Sequence, residues 1–379
     1  MTRRRRTRTA AVGALCATLL ALLPLTATTA HAATGDDHTA TLTALRTLQR
    51  SGGPGAAVHA GDSGGAWTLS VGTGTINTNK PIQSDEHLRI GSQTKTFTAA
   101  VVLQLVDEGK VSLDAPIDRY LPGVVTGNGY DGTRITVRHL LRHTGGIAAY
   151  DPFASPPRAR PDGSYALADL VREGLRRPPV SVPGASFTYS NTGYLVLGML
   201  IEKLTGRPVH DAVTARVIDP LGLSRTVFPA PGARALPAPA VNGYRGTRIG
   251  DFFFWTPVGS YDPSLVSSAG AMISTLEDVT AFYQALAAGK VVSPASLAEM
   301  EGTGPGYGLG LMKVGLRCGG VAYGHDGGLP GYHTQTLVTP DGRHASAVTN
   351  VQFRINAPVA QMYAVLETAL CEQQGQARS

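Results

Sequence analysis

Three short clusters, in fixed order along the chain, carry side chains suited to covalent chemistry: Ser92-Gln93-Thr94-Lys95, Tyr189-Ser190-Asn191 and His325-Asp326-Gly327-Gly328. Together they offer a nucleophilic hydroxyl, two proton carriers and a strand end open to close approach, the minimum for acyl transfer through a serine ester. Ser92 and Lys95 are three residues apart, nearly one helical turn, so both side chains share a face if a helix starts at Ser92. A helix N-terminus favours developing negative charge, and a lysine buried there loses affinity for its proton and can accept one from Ser92. The competing reading is a helix-capping serine with a solvent-facing lysine. A tyrosine beside a serine nucleophile can pass its proton to a leaving group, and Asn191 can hold a lysine or a substrate amide. Gly327 and Gly328 leave room for a substrate backbone at a strand end.

The elements that must position these groups are legible as periodicities. Ser92–Glu108 reads as a helix, with Phe97, Val101 and Leu105 four apart and Gly109 stopping it; further apolar residues predict burial nearly all round. Ile135–His143 and Tyr194–Leu204 read as helices of a middle region, about 110–300, otherwise made of helices and Pro/Gly-rich loops such as 151–163 and 229–240. Before it come a helix over Leu42–Arg50 and two strands, Gly55–Ala60 and Trp67–Gly72, around a hairpin loop at Gly61–Gly65. After it come short strands over Gly308–Lys313, Gly320–Gly324, Thr334–Thr339 and Ala345–Asn350, then a helix over Val359–Ala369. Strands at both ends around a helical middle predict an α/β fold. In it an antiparallel sheet flanked by helices, from residues 33–95 and 300–379, carries an inserted and mostly helical lobe over 96–299. The active site is expected between the lobes.

Two look-alike motifs fall away on position. His143-Thr144-Gly145 resembles the third cluster but follows a helix, where Gly145 reads as a C-terminal cap. Gly61-Asp62-Ser63-Gly64-Gly65 spells the surroundings of a chymotrypsin-like nucleophile, but too little chain precedes Ser63 to hold its partners. A glycine-rich hairpin turn explains it.

Arg3, Arg4, Arg5, Arg6 and Arg8, an apolar run to about Leu25 and Ala30-His31-Ala32 read as a secretory signal over residues 1–32, which would take Cys16 with it. Of 33 basic residues five lie in that segment, leaving 28 against 27 acidic, so the basic balance gives no support for nucleic-acid binding. The remainder, with no apolar run long enough to span a bilayer, is expected to be secreted, extracellular and free of the membrane. Cys318 and Cys371 are then an even pair in an exported protein, which favours a disulfide over free thiols. No C-x-x-C pair or His-rich cluster suggests a metal, no cofactor is implied, and the chain is read as a monomer.

With these residues in view the chain resembles the penicillin-recognising serine hydrolases, in the branch of actinomycete D-Ala-D-Ala carboxypeptidases and class C β-lactamases. Supporting stretches include Arg89-Ile90-Gly91-Ser92, Leu103–Lys110, Ile135–Arg138, Gly198–Gly206 and Tyr307-Gly308-Leu309-Gly310-Leu311. The resemblance implies a β-lactamase/DD-peptidase-like fold and Ser92 as nucleophile, with Lys95 and Tyr189 sharing the base and acid roles. Asn191 would contact Lys95 and the substrate amide, and His325 would stand where β-lactamases have lysine, near Tyr189. Asp326 and Gly327 would face substrate, and the backbone N–H groups of Ser92 and Gly328 would form the oxyanion hole. Cys318 and Cys371 fall where secreted members have a disulfide. The implied partners are a small peptide or peptidoglycan-derived substrate, with β-lactams as covalent ligands. Two positions depart from the carboxypeptidase pattern. Asp326 replaces a hydroxyl residue that helps grip a terminal carboxylate, and Met312 stands where an arginine can follow the Gly-Leu-Gly-Leu run. The leading expectation is a D-Ala-D-Ala carboxypeptidase. The alternatives are a D-stereospecific endopeptidase, aminopeptidase or esterase, then a β-lactamase or a catalytically retired penicillin-binding module.

Overall fold

A computed structural model describes residues 38–249, 252–302, 306–353 and 356–376. The expected signal segment, with Cys16, lies outside the described residues. Helix α1, Thr39–Gly52, buries Thr41, Leu45, Leu48 and Gly52 and leaves its other residues exposed or half-buried. Strands β1, Gly55–Asp62, and β2, Gly65–Gly72, follow as a hairpin with Asp62 opposite Gly65. The Asp62 carboxylate accepts from the Gly64 N–H at 2.7 Å, so Ser63 is a residue of a tight turn. Five strands from the C-terminal part complete the sheet: β3, Gly306–Tyr307; β4, Met312–Gly315; β5, Val321–Leu329; β6, Tyr332–Val338; and β7, His344–Thr349. The spatial order is β2-β1-β7-β6-β5-β4-β3, antiparallel throughout. On one face α1 and the last helix cover Val58, Leu337 and Ala345 with Leu45, Met362 and Leu366. On the other face the helices of the middle region form the larger core.

At the centre of that core is α2, Thr94–Asp107, whose residues Thr94–Leu103 and Leu105 are all buried, with the Phe97 ring stacked 3.6 Å from Phe282. The helix starts two residues later than its periodicity predicts. Gly91–Gln93 instead form a 3-10 turn with Gly91 at φ +56°, because the backbone must rise against β5, where a Cβ on Gly91 would stand 2.9 Å from the Gly328 nitrogen. Helix α3, Val137–Leu141, is shorter than expected at both ends; Thr136 caps it by accepting from the His139 N–H at 3.1 Å. Its C-terminal cap is also not the expected one. His143, at φ +57°, is the left-handed residue, with its N–H on the Leu140 carbonyl and the Thr144 N–H on the His139 carbonyl. Helix α4, Asn191–Thr205, outruns its prediction and begins within the second cluster.

The expected strand over Gly308–Lys313 is broken. Between β3 and β4 the chain turns so that Leu309 and Leu311 are buried, and Gly310, at φ +73°, passes Ala99 too closely for a side chain. A hairpin of Tyr244–Ile249 with Phe252–Pro257 occupies the middle region, where only helices and loops were expected. The stretches 151–163 and 229–240 hold no helix or strand beyond one bridge between Ala240 and His87.

Cys318 and Cys371 form a disulfide across 53 residues, joining the β4–β5 turn to the last helix. Replacing both with alanine is expected to cost about 2–5 kcal/mol in urea unfolding, while turnover by the folded protein is unchanged because neither residue touches the site. Among the described residues no helix is long and apolar enough to cross a membrane, and no group of three metal-ligating side chains occurs.

Candidate active site

The three clusters converge. Ser92 sits in the 3-10 turn and Lys95 one turn on, completely buried in α2. The Lys95 Nζ lies 3.1 Å from Ser92 Oγ, 2.8 Å from Asn191 Oδ1 and 2.7 Å from the Ala269 carbonyl, so an ammonium spends its three protons on three acceptors. Burial lowers its pKa to about 7, against a smaller opposing pull from the Asp326 charge. Near neutrality much of it is therefore a neutral amine. With two N–H bonds kept by Asn191 and Ala269, the lone pair is left for the Ser92 hydroxyl proton.

Tyr189 lies against the same amine, its ring centroid 4.8 Å from Nζ. Burial and the Asp326 charge push its pKa well above the usual phenol value, while hydrogen bonding with Ser92 works the other way. Tyr189 thus stays a neutral phenol, able to donate to an alkoxide or leaving group but unsuited to be the resting base. Asn191 opens α4, where Ser190 is the cap, and its amide nitrogen donates to the Tyr150 carbonyl at 3.3 Å.

The third cluster lies inside β5 near its end. Gly327 and Gly328 pack on the turn that carries Ser92; a Cβ on Gly327 would stand 1.9 Å from the Ile90 carbonyl oxygen. Strand β4 pairs with β5 only as far as Gly324, so His325–Leu329 has an open edge. The Gly328 nitrogen lies against the turn that carries Ser92, where a Cβ on Gly91 would stand 2.9 Å from it. The Gly328 N–H beside Ser92 has the disposition of an oxyanion donor.

His325 is fully buried and lies near Tyr189, ring centroids 6.4 Å apart, but its hydrogen bonds go elsewhere. Nδ1 is 2.6 Å from the Asp326 carbonyl oxygen, which only accepts, so Nδ1 carries a proton; Nε2 is 2.8 Å from the Tyr307 hydroxyl. Asp326 keeps 38 % of its side chain exposed and holds Oδ1 3.3 Å from His325 Nδ1. Burial pushes its carboxyl up, but the hydrogen bond and charge of His325 outweigh this and hold it below its ordinary value. It is an anion at neutral pH.

Two groups at the site carry no sequence signal as functional. His143 packs its ring 4.4 Å from Tyr189 and 4.9 Å from Tyr307, and accepts the Ser190 N–H at Nδ1. Burial, then the charges of Lys95 and His325, keep it neutral far below its usual pKa. Tyr307 was visible only as part of a strand motif. Beside it opens a cavity of about 780 Å³ whose wall includes Phe187, Met312, Arg142 and Lys313. Strand alternation predicts Lys313 on the side away from Met312, yet both belong to this wall.

The beta-lactamase family model matches residues 39–369. The chain belongs to this family. Within the beta-lactamase family it is similar to penicillin-binding protein 4 of Amycolatopsis lactamdurans, at 30% identity over 320 residues covering 78% of this chain and 81% of that one. Among solved structures, the D-stereospecific amidohydrolase from a Streptomyces species matches with a TM-score of 0.75 and 39% identity, covering 86% of this chain and 98% of that one. The D-amino acid amidase from Ochrobactrum anthropi SV3, complexed with L-phenylalanine amide, matches at 0.74 and 25% identity, covering 90% and 99%. The chain is thus a beta-lactamase-family serine hydrolase with the fold of these amidohydrolases.

Proposed function

We propose that the protein hydrolyses amide and ester bonds on the carbonyl of D-amino acids through a Ser92 acyl-enzyme, with neutral leaving groups preferred. Lys95 is the base that accepts the Ser92 proton; Tyr189 gives a proton to the departing nitrogen or oxygen and is made good by the one Lys95 took, and water then cleaves the ester, releasing the acid and restoring the Ser92 hydroxyl. Asn191 fixes Lys95, and the N–H groups of Ser92 and Gly328 hold the carbonyl oxygen as it becomes an anion. The observation that carries the reading is the buried Lys95 amine, 3.1 Å from Ser92 Oγ with its pKa near 7. Support for D-amino-acid substrates comes from the likeness to the Streptomyces amidohydrolase.

The preference for a neutral leaving group follows from Asp326. Its carboxylate stands beside His325, at the end of the open edge nearest Tyr189, where a leaving group departs. An anion there repels a free terminal carboxylate and tolerates an amide or ester. A D-Ala-D-Ala carboxypeptidase is the second reading, favoured by Arg142 and Lys313 on the adjoining cavity wall. Steady-state kinetics on a D-Ala-D-Ala peptide and its C-terminal amide separate the two. The amide is expected to be the better substrate, and Asp326→Thr is expected to shift the acid-to-amide ratio about tenfold toward the acid. A wild type that prefers the free acid establishes the carboxypeptidase instead. Failure of a fluorescent penicillin to label Ser92 removes the acyl-enzyme reading altogether.

A further inference from the structure

The open edge of β5 has a direction. Tyr189 and His325, at one end, define where the leaving group departs, so the acyl portion of a substrate extends toward the other end, past Gly328 to the β5–β6 turn. There a second cavity, of about 310 Å³, is lined by Arg89, Arg234, Leu236, Tyr261, Pro330 and Tyr332. Arg89 is three residues before Ser92 and Pro330 two after Gly328, so two of the segments that build the site continue into this cavity's wall.

Its polar groups are out of balance. Arg89 is only 4 % exposed, and no carboxylate among the described residues pairs with it. Its Nη2 donates to the Arg234 carbonyl at 2.7 Å and its guanidinium lies 4.4 Å over the Tyr261 ring, but Nη1 is buried with no acceptor among the described residues. The Tyr261 hydroxyl, in the same wall, is likewise buried with no partner among the described residues. By contrast Arg234 is matched by the buried Asp262 at 3.1 Å, and the Tyr332 hydroxyl is satisfied by the Val241 carbonyl. A buried cation without a counter-charge is costly, as is each buried donor without an acceptor. Here both unmet groups donate, and the two residues that carry them line one small cavity. The complement of a guanidinium and a phenol is an anion with several lone pairs, and a carboxylate fits both.

We propose that this cavity is a subsite for a carboxylate on the acyl side of the substrate, such as the free end of a dicarboxylic acyl cap or an acidic residue preceding the scissile D-residue. The proposal rests on the acyl-transfer reading for its orientation, and on the cavity alone for its chemistry. Two ligands test it: a D-alanine amide capped with a succinyl group, and the same compound with the succinyl carboxylate methylated. Binding is measured by calorimetry in the Ser92→Ala protein, which separates the subsite from catalysis. The free carboxylate is expected to bind at least about tenfold tighter than its methyl ester. That ratio is expected to fall to about one in Ser92→Ala/Arg89→Gln and to drop several-fold in Ser92→Ala/Tyr261→Phe. The phenylalanine variant loses one oxygen and keeps the ring under the guanidinium, so it reports even where the Arg89 variant folds poorly. Equal binding of the two ligands by the Ser92→Ala protein overturns the proposal. So do variants that weaken both ligands in proportion, the mark of a purely structural Arg89. The acyl-transfer reading fails separately, if the wild type hydrolyses neither ligand and is not labelled by a penicillin.

Discussion

Lys95→Met is expected to lower kcat/KM for an ester or amide of a D-amino acid by about 10⁴-fold or more, while the protein still folds and binds substrate. The methionine removes the group whose lone pair faces Ser92 and leaves the oxyanion donors in place. Lys95→Arg is the sharper control. It keeps a cation at the site, but a guanidinium holds its proton at every accessible pH, so it cannot serve as base and should be equally inactive. In the wild type, kcat/KM should climb with pH as Lys95 deprotonates through about 7 and level off above it. His143, held neutral far below that value, and Tyr189, held neutral far above its usual one, add no second limb near neutrality. A flat profile across pH 6–8, or appreciable activity in the arginine variant, would refute Lys95 as the base.

Gly327→Ala should also be strongly damaging, for a steric reason. The added carbon would stand 1.9 Å from the Ile90 carbonyl oxygen and 2.9 Å from Thr334 Oγ1, and backbone cannot yield as a flexible side chain does. Either β5 moves out, taking the Gly328 N–H with it, or the Ile90–Ser92 turn moves and misplaces the nucleophile. Loss of one oxyanion donor costs about 10²–10³ in kcat, and the overpacking adds about 1–3 kcal/mol of destabilisation. Kinetics with an ester, set beside urea unfolding, should show activity falling far more than the folded fraction. Parallel loss of the two would assign Gly327 to folding alone.

The legible and illegible parts of this chain divide along physical lines. Ser92 and Lys95 can be paired from sequence because one helical turn links them, and Cys318 with Cys371 because, with Cys16 read as part of a signal, counting leaves no other partner. The strands β5, β6 and β7 were visible as apolar runs between turn residues. What escaped depends on backbone conformation or on contacts between distant elements. Gly145 reads as the cap after Ile135–His143, since nothing in the residue types shows that His143 itself takes the left-handed position. The run 308–313 looked like a strand, but Gly310 is shaped by Ala99 in a helix two hundred residues earlier. The third acceptor for Lys95 is the main-chain carbonyl of Ala269, and a carbonyl has no residue type. The Arg89 and Tyr261 donors are ordinary residues until burial removes water from them.

The sheet order has a consequence for how the chain is made. Strand β1 is hydrogen-bonded to β7, and the Gly55 N–H donates to Asn350, 295 positions further on. The first hairpin therefore emerges with one edge unpaired and stays so for roughly 15–60 s of synthesis at about 5–20 residues per second. The core strand that completes it arrives only after every helix of the middle region has been made, so the sheet cannot close before then. Native structure is thus withheld during translation, and a C-terminal truncation that removes β7 should leave hairpin and helices alike without a stable partner.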